Sequence, residues 1–276
     1  MNNLMNTDLK PGERLIPEDT QTPLHQIQVL RHQFVYEYVK SRLNLNNKVL
    51  DLGFGEGYGT ALLAEFCGNI VGVDVTDKVV VYANKRYARH NCRFLKYDGR
   101  VLPFENNSID VLVTFQVIEH IDDDHAFVAE IHRVLKPGGK LFMTTPNRAT
   151  RLKPGQKPFN RFHKREYYAS ELADVLKSRF ANVNVYGVSA TDEIHQIEFS
   201  RIKRGGFLSL LINLGLRKIM PESVDLALAK FVGKIRKQRK TSDSIQQAAG
   251  SFKLSDFRVE KAKVDESLDL FALCVK

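Results

Sequence analysis

Tryptophan is absent from this chain of 276 residues, and cysteine occurs only three times. Cys67, Cys92 and Cys274 lie far apart and form no Cys-x-x-Cys pair. That spacing argues against a disulfide framework or a zinc knuckle and fits a reducing compartment, the cytoplasm by default. No stretch approaches the roughly 18 consecutive apolar residues that a membrane span requires. Met1 to Thr22 is polar, with no apolar run of signal-peptide length, so a soluble protein is expected. There is no internal repeat. The length suffices for one large core with a substantial insertion and no covalent staples.

What the chain has in excess is positive charge, with a formal net charge of +9. The excess is local. Residues 201–240 hold eleven basic side chains against Glu222 and Asp225, and the remainder of the chain is balanced. Two helical patterns fall here: Phe207–Leu216, apolar on most sides, and Glu222–Lys237, with Val224, Leu228, Phe231, Val232 and Ile235 on one face. A polar linker follows at 238–250. Such a segment suits a lid over a binding site, a patch for an anionic membrane surface at the inner face of a membrane, or a nucleic-acid groove. A solvated face or a homodimer contact is the plainer alternative. Phe207 and Phe231 are almost its only aromatics, which leaves little for base stacking and disfavours nucleic acid.

Apart from an irregular arm at the start, the chain alternates short apolar runs with helical patterns, the mark of a parallel sheet covered on both faces. A helix is expected from His25 to about Leu43, where Ile27, Leu30, Phe34, Val35, Tyr38 and Val39 recur at helical spacing. Strands are expected at Lys48–Leu52, Asn69–Asp74, Cys92–Lys96, Ile109–Phe115 and Lys140–Thr145. Helices are expected at Gly59–Phe66, Lys78–His90 and Asp123–Val134. Lys136-Pro137-Gly138-Gly139 reads as the turn into the fifth strand. A helix at Ser170–Arg179 and strands at Val183–Val188 and Ser267–Val275 complete the pattern. The resulting division is an arm and helix (1–45), a core (46–189), a basic helical insertion (190–265) and a final core strand (266–276).

The loop after the first strand carries Gly53, Gly55, Gly57 and Gly59, which permit a sharp turn and close approach of a ligand. A dinucleotide-binding Gly-x-Gly-x-x-Gly beginning at Gly53 would require glycine at 58, where Tyr58 stands. Asp74 and Asp98 follow at the ends of the next two strands. Either could be only a helix cap. Together, in register with the glycine loop at successive carboxyl ends of a parallel sheet, they outline a ligand crevice.

The order Asp51-x-Gly53-x-Gly55-x-Gly57 resembles the first motif of class I S-adenosylmethionine-dependent methyltransferases. Further resemblance comes from Leu102-Pro103-Phe104, Val117-Ile118-Glu119-His120-Ile121, Arg133-Val134-Leu135-Lys136-Pro137-Gly138-Gly139-Lys140 and Thr145-Pro146-Asn147-Arg148. These are similar to the group containing ubiquinone-biosynthesis enzymes and enzymes of surface-glycan gene clusters. Gly12-Glu13-Arg14, Phe162 to Tyr167 and Leu268 to Cys274 look like the glycan-associated members.

The resemblance implies an α/β fold with a seven-stranded Rossmann-like sheet, mostly parallel with the last strand antiparallel. It implies S-adenosylmethionine held by Asp51, Gly53, Gly55 and Gly57 at its methionine end, Asp74 and Val75 at the ribose, Asp98 and Gly99 at the adenine, and Gln116 nearby. Phe54 stands where such loops commonly hold a small residue or cysteine. The expected activity is O-methylation of a glycan or glycan precursor. The alternatives are methylation of a small aromatic or quinone-like metabolite, and a protein that binds the donor without turnover. Methylation of an exocyclic base amine is disfavoured, because Thr114-Phe115-Gln116-Val117 replaces the Asn/Asp-Pro-Pro-Tyr/Phe it would need.

An alcohol acceptor must lose a proton, and histidine is suited to accept it near neutral pH. His120, beyond the fourth strand, and His163, beyond the fifth, are the candidates. The plain alternatives are a helix-start histidine bonded to backbone and a solvated loop residue. Glu119, His120 and His163 could instead hold a divalent metal. Small-RNA 3′-end methyltransferases have a similar Glu-x-x-Glu-His arrangement, but Gln116 occupies the first glutamate position here and is a poorer ligand.

Overall fold

A computed structural model describes residues 22–203 and 252–276. Eight strands form one sheet: β1 (Lys48–Leu52), β2 (Asn69–Asp74), β3 (Cys92–Lys96), β4 (Ile109–Phe115), β5 (Leu135–Pro146), β6 (Asn182–Ala190), β7 (Phe257–Glu260) and β8 (Asp269–Val275). Their order is β3-β2-β1-β4-β5-β8-β6-β7. The pairs from β3 through β5 are parallel, whereas β8 runs antiparallel to β5 and β6, and β7 antiparallel to β6. The carboxyl ends of the first five strands therefore share one edge with the start of β8, where Pro146 pairs with Asp269.

Alternate residues of the central strands enter two cores, which explains their near-continuous apolar runs. Leu50, Leu52, Val71, Val73, Leu112, Leu141 and Met143 pack with Phe127, Val128 and Ile131 of α4 (Asp124–Val134) and Leu172 and Leu176 of α6 (Ala169–Lys177). On the other face, Val49, Ile70, Val111, Val113 and Phe142 pack with Val35, Tyr36 and Val39 of α1 (Pro23–Lys40), Leu63 of α2 (Tyr58–Leu63), and Val79 and Ala83 of α3 (Asp77–Tyr87). Helix α1 starts two residues earlier than its apolar pattern suggests. Pro23 occupies the first turn, and Thr22 caps it by accepting from the His25 backbone N–H at 3.2 Å.

Two differences from the sequence-based expectation have physical causes. Lys136 to Gly139 lies within β5 rather than before it. Leu135 already pairs with Ile109, and the register then shifts so that Lys140 meets Val111, with Gly138 at φ +77° absorbing the bend. The sheet also has one strand more than the expected seven. Phe257–Glu260, assigned from sequence to the insertion, zips onto β6, where it is held by four register pairs, from Gly187 with Glu260 to Ala190 with Phe257. Phe257 joins Ile27, Ala190, Ile194, Phe252 and Leu268 in a third small core, beneath α7 (Asp192–Lys203). A four-residue edge strand carries too weak a period-2 signal to stand out in sequence.

The N-terminal arm with Gly12-Glu13-Arg14, the two helical patterns at 207–216 and 222–237, the linker at 238–250 and nearly all of the basic segment 201–240 lie outside the described residues. No described helix is long and apolar enough to cross a membrane. The three cysteines are buried free thiols, and burial pushes Cys67 and Cys92 up to about 11.

Candidate active site

The turn after β1 is built on three left-handed glycines, Gly53 (φ +80°), Gly55 (φ +60°) and Gly57 (φ +86°). A Cβ on Gly53 would stand 2.4 Å from Cγ2 of Val117, so the loop after β4 closes directly on this turn. Gly55 has no atom within 4 Å of a built Cβ, which leaves space beside the turn. Asp51, fully buried at the end of β1, accepts from the hydroxyls of Thr60 at 2.7 Å and Tyr36 at 3.1 Å. Both bonds fall on Oδ2, and the buried Oδ1 has no partner. Burial pushes this carboxyl up to about 7 against the opposing bonds from Thr60 and Tyr36, and the charge of Asp74 adds to the rise.

Asp74 and Asp98 stand at the next two strand ends, as the sequence suggests. Each also makes the cap-like bonds of the plainer reading. Asp74 Oδ1 accepts from the Thr76 backbone N–H at 2.9 Å, and Asp98 Oδ1 accepts from those of Arg100 and Val101, both at 2.8 Å. Those backbone bonds hold the exposed Asp98 carboxyl below the usual carboxylate range. Gly99 (φ +82°) brings its backbone against Val75, whose side chain is otherwise exposed. Gln116 takes a left-handed conformation (φ +58°), fixed by its N–H to Thr144 O at 2.9 Å and its amide to Thr144 Oγ1 at 3.3 Å. A non-glycine residue at positive φ is strained and is held only where its surroundings over-determine it.

The other half of the edge lies over β4, β5 and β8. Glu119 and His120 sit in a short 3-10 turn at Ile118–His120, and His163 comes from the loop before α6. The two imidazoles meet edge to face with centroids 4.8 Å apart. His120 Nδ1 lies 3.2 Å from the Phe162 carbonyl, which can only accept, so Nδ1 carries the proton. His163 Nδ1 donates to Glu166 at 2.9 Å. In both rings the lone pair is therefore on Nε2. The solvated-loop alternative for His163 is overturned, since its side chain is only 8% exposed. Burial lowers its pKa against the pull of Glu166. Burial would raise Glu166, but the His163 bond and the charge of Arg151, 3.1 Å away, hold it below the usual range.

Glu119 is buried. Its Oε2 accepts from Thr145 at 3.0 Å while Oε1 has no partner. Burial, aided by the charges of Asp269 and Glu166, pushes this carboxyl up to about 8. Around it, Arg31 of α1 pairs with Asp269 (3.0 Å) and Glu198 of α7 (3.5 Å).

Sequence reading missed most of this support. Tyr36, Thr60, Arg31, Arg151, Glu166 and Asp269 come from elements separated along the chain, and polar residues on helices that look amphipathic give no signal of where they point. His32, bonded to the Tyr58 hydroxyl and lowered to about 4 by burial and then by Arg31, was missed for the same reason. The close passage of the Tyr36 ring over Gly59, where a Cβ would fall 2.1 Å from Cζ, offered one clue in the fourth glycine of the loop.

A family model described as a methyltransferase domain matches residues 50–143. A probable S-adenosylmethionine-dependent methyltransferase of Mycobacterium tuberculosis is 33% identical over 267 residues, 96% of this chain and 88% of that protein. One from Mycolicibacterium smegmatis is 39% identical over 170 residues, 60% of this chain and 63% of that protein. A ubiquinone biosynthesis O-methyltransferase of Coxiella burnetii is 28% identical over 135 residues, 48% of this chain and 56% of that protein. Among solved structures, an S-adenosylmethionine-dependent methyltransferase of Thermotoga maritima shares the fold, with a TM-score of 0.54 at 17% identity, covering 90% of this chain and 92% of that one. The glycine turn, the orphan oxygen of Asp51 and the open space beside Gly55 fit the donor those relatives use. The chain belongs to the S-adenosylmethionine-dependent methyltransferases.

Proposed function

We propose that the protein transfers a methyl group to a hydroxyl oxygen of a glycan or glycan precursor. Bound S-adenosylmethionine supplies an electrophilic methyl on a sulfonium. Asp51 Oδ1 receives the donor's amine, Asp74 and Val75 the ribose, and Asp98 and Gly99 the adenine. Gln116, adjoining Val117 and hence the glycine turn, borders the path between donor and acceptor.

The observation that carries the oxygen acceptor is the tautomeric lock on His163. With Nδ1–H given to Glu166, Nε2 is the nitrogen left to take a hydroxyl proton, and Glu166 with Arg151 behind it steadies the imidazolium that results. His120, fixed by the Phe162 carbonyl, accepts a hydrogen bond at Nε2 from a neighbouring hydroxyl of the same glycan. Positioning and exclusion of water lower the remaining barrier. The match to an O-methyltransferase of ubiquinone biosynthesis also favours oxygen as the accepting atom. The excess positive charge at 201–240 favours an acidic or lipid-linked glycan and a peripheral position at a membrane's inner face.

Incubation with isotopically labelled donor and a panel of glycans, lipid-linked precursors and catechol-type metabolites tests the reading. Label in an ether on a sugar supports it. Label only on the small aromatics replaces the acceptor class, and donor binding without transfer to any of them favours a non-catalytic role.

A further inference from the structure

The cluster of Glu119, His120 and His163 over the carboxyl edge holds more than a base. One ligand-type atom from each residue lies within 4.8 Å of the others. We propose that these three side chains form a binding site for a divalent transition-metal ion.

Two independent features point to a cation. The first is the outer support of the histidines. A metal-binding imidazole characteristically donates its other ring N–H to a carboxylate or a backbone carbonyl, which fixes the tautomer and aims the lone pair. Both partners occur here, Glu166 for His163 and the Phe162 carbonyl for His120. The second is Glu119 Oε1, a buried carboxyl oxygen with no hydrogen-bond partner, on a side chain already oriented by Thr145. A buried acceptor is costly unless a donor or a cation meets it. Nearby, the buried acids Glu166, Glu198 and Asp269 pair with the guanidiniums of Arg31 and Arg151, and Glu166 pairs with His163 as well.

Two imidazoles and one carboxylate suit zinc, iron(II), cobalt(II) or manganese(II), and leave positions open for a further oxygen ligand. A tetrahedral ion about 2.1 Å from each ligand sets them about 3.4 Å apart, so the three would close by up to about 1.4 Å. Gln116 gives its amide N–H to Thr144, and the three ligands come from Glu119, His120 and His163 without it.

The ion's role rests on the hydroxyl-acceptor reading, while its binding does not. In the loaded site the acceptor oxygen is held at an open position. Its O–H bond breaks with the proton passing to solvent instead of to His163, and its C–O bond forms as the donor's S–C bond breaks.

The test begins with protein stripped by chelator and dialysed against Zn²⁺ or Co²⁺. Metal per chain is counted by atomic emission, and Co²⁺ ligation is read from its visible absorption and from shifted imidazole proton resonances. The expected result is one ion per chain with both histidine rings shifted. Affinity should fall more than tenfold in His163→Ala and Glu119→Gln, and about 10- to 100-fold in Glu166→Gln, which touches no metal. Thermal unfolding and donor affinity in each variant establish that it is folded. Should Glu119→Gln not fold, the wild-type imidazole shifts decide alone. No stoichiometric ion, or equal affinity in wild type and the folded variants, overturns the site. Ion binding without methyl transfer to any hydroxyl supports the site and sinks the acceptor reading. Undiminished hydroxyl methylation in metal-free protein overturns the role given to the ion.

Discussion

The two halves of the carboxyl edge are built by opposite means. The donor half is backbone geometry: three left-handed glycines, a strained Gln116 and acids at successive strand ends, each within a few residues of the strand that places it. The acceptor half is a buried web of side chains drawn from α1, the turn after β4, α5 (Arg148–Arg151), the loop before α6, α7 and β8. A site made of local backbone has its shape fixed by the strand-turn-helix unit, so the same cofactor can be served by many sequences. A site made of long-range ion pairs is specific to one set of partners and fails as a unit when a member is removed.

The largest effect expected from breaking this comparison is on the acceptor side. His163→Ala should lower kcat by about 10²- to 10⁴-fold, the range for loss of an acid-base group, while donor affinity measured calorimetrically stays within twofold. An equal loss of donor affinity would mean that the halves are not separable.

On the donor side, Asp51→Asn should weaken S-adenosylmethionine binding by about 10- to 100-fold, as expected for loss of a charge-assisted contact of about 1.5–3 kcal/mol. The same variant has a pH signature. The carboxyl is raised in the folded protein, so its contribution is fully present below an unfolded pKa near 4 and is lost as pH rises toward about 7. Urea denaturation of the free protein should therefore show stability falling across that window by a few kcal/mol at most, and the fall should be smaller in Asp51→Asn. An unchanged slope would mean that Asp51 is ionised throughout.

Two glycine variants separate packing from ligand space. Gly53→Ala meets both positive φ and Val117, and should lower stability by about 2–3 kcal/mol. Gly55→Ala meets only positive φ and should cost about 1–2 kcal/mol, yet weaken donor binding by about tenfold or more if the donor fills that space. The smallest effect belongs to Tyr36→Phe, which removes one bond to Asp51 and should cost about 1 kcal/mol by chemical denaturation.

Legibility from sequence followed the same division. The central strands and Asp51, Asp74 and Asp98 could be read because apolar runs ending in an acid, with glycines after the first, need only local spacing. His120 and His163 could be suspected individually. Their meeting could not be read, because it depends on Lys164 and Arg165 donating backbone bonds to the Glu119 carbonyl, at 2.7 and 3.4 Å, across a gap of more than forty residues. The Glu166 and Arg151 support behind His163 was invisible for the same reason. The short strand β7 was hidden by its brevity.

That short strand has a consequence for how the protein can change. The chain leaves the sheet after Ala190 and re-enters at Phe257, its paired neighbour, and the Thr191 N–H donates to the Asp256 carbonyl at 3.1 Å to close the excursion. With the clasp holding the two strands in place, what lies between them need not set their register. Exchanging the stretch between α7 and Phe252, which keeps Ile194 and Phe252 in the third core and Glu198 beside Arg31, is thus a route by which one donor-binding sheet can be fitted to new acceptors or new surfaces without resetting the register of its strands.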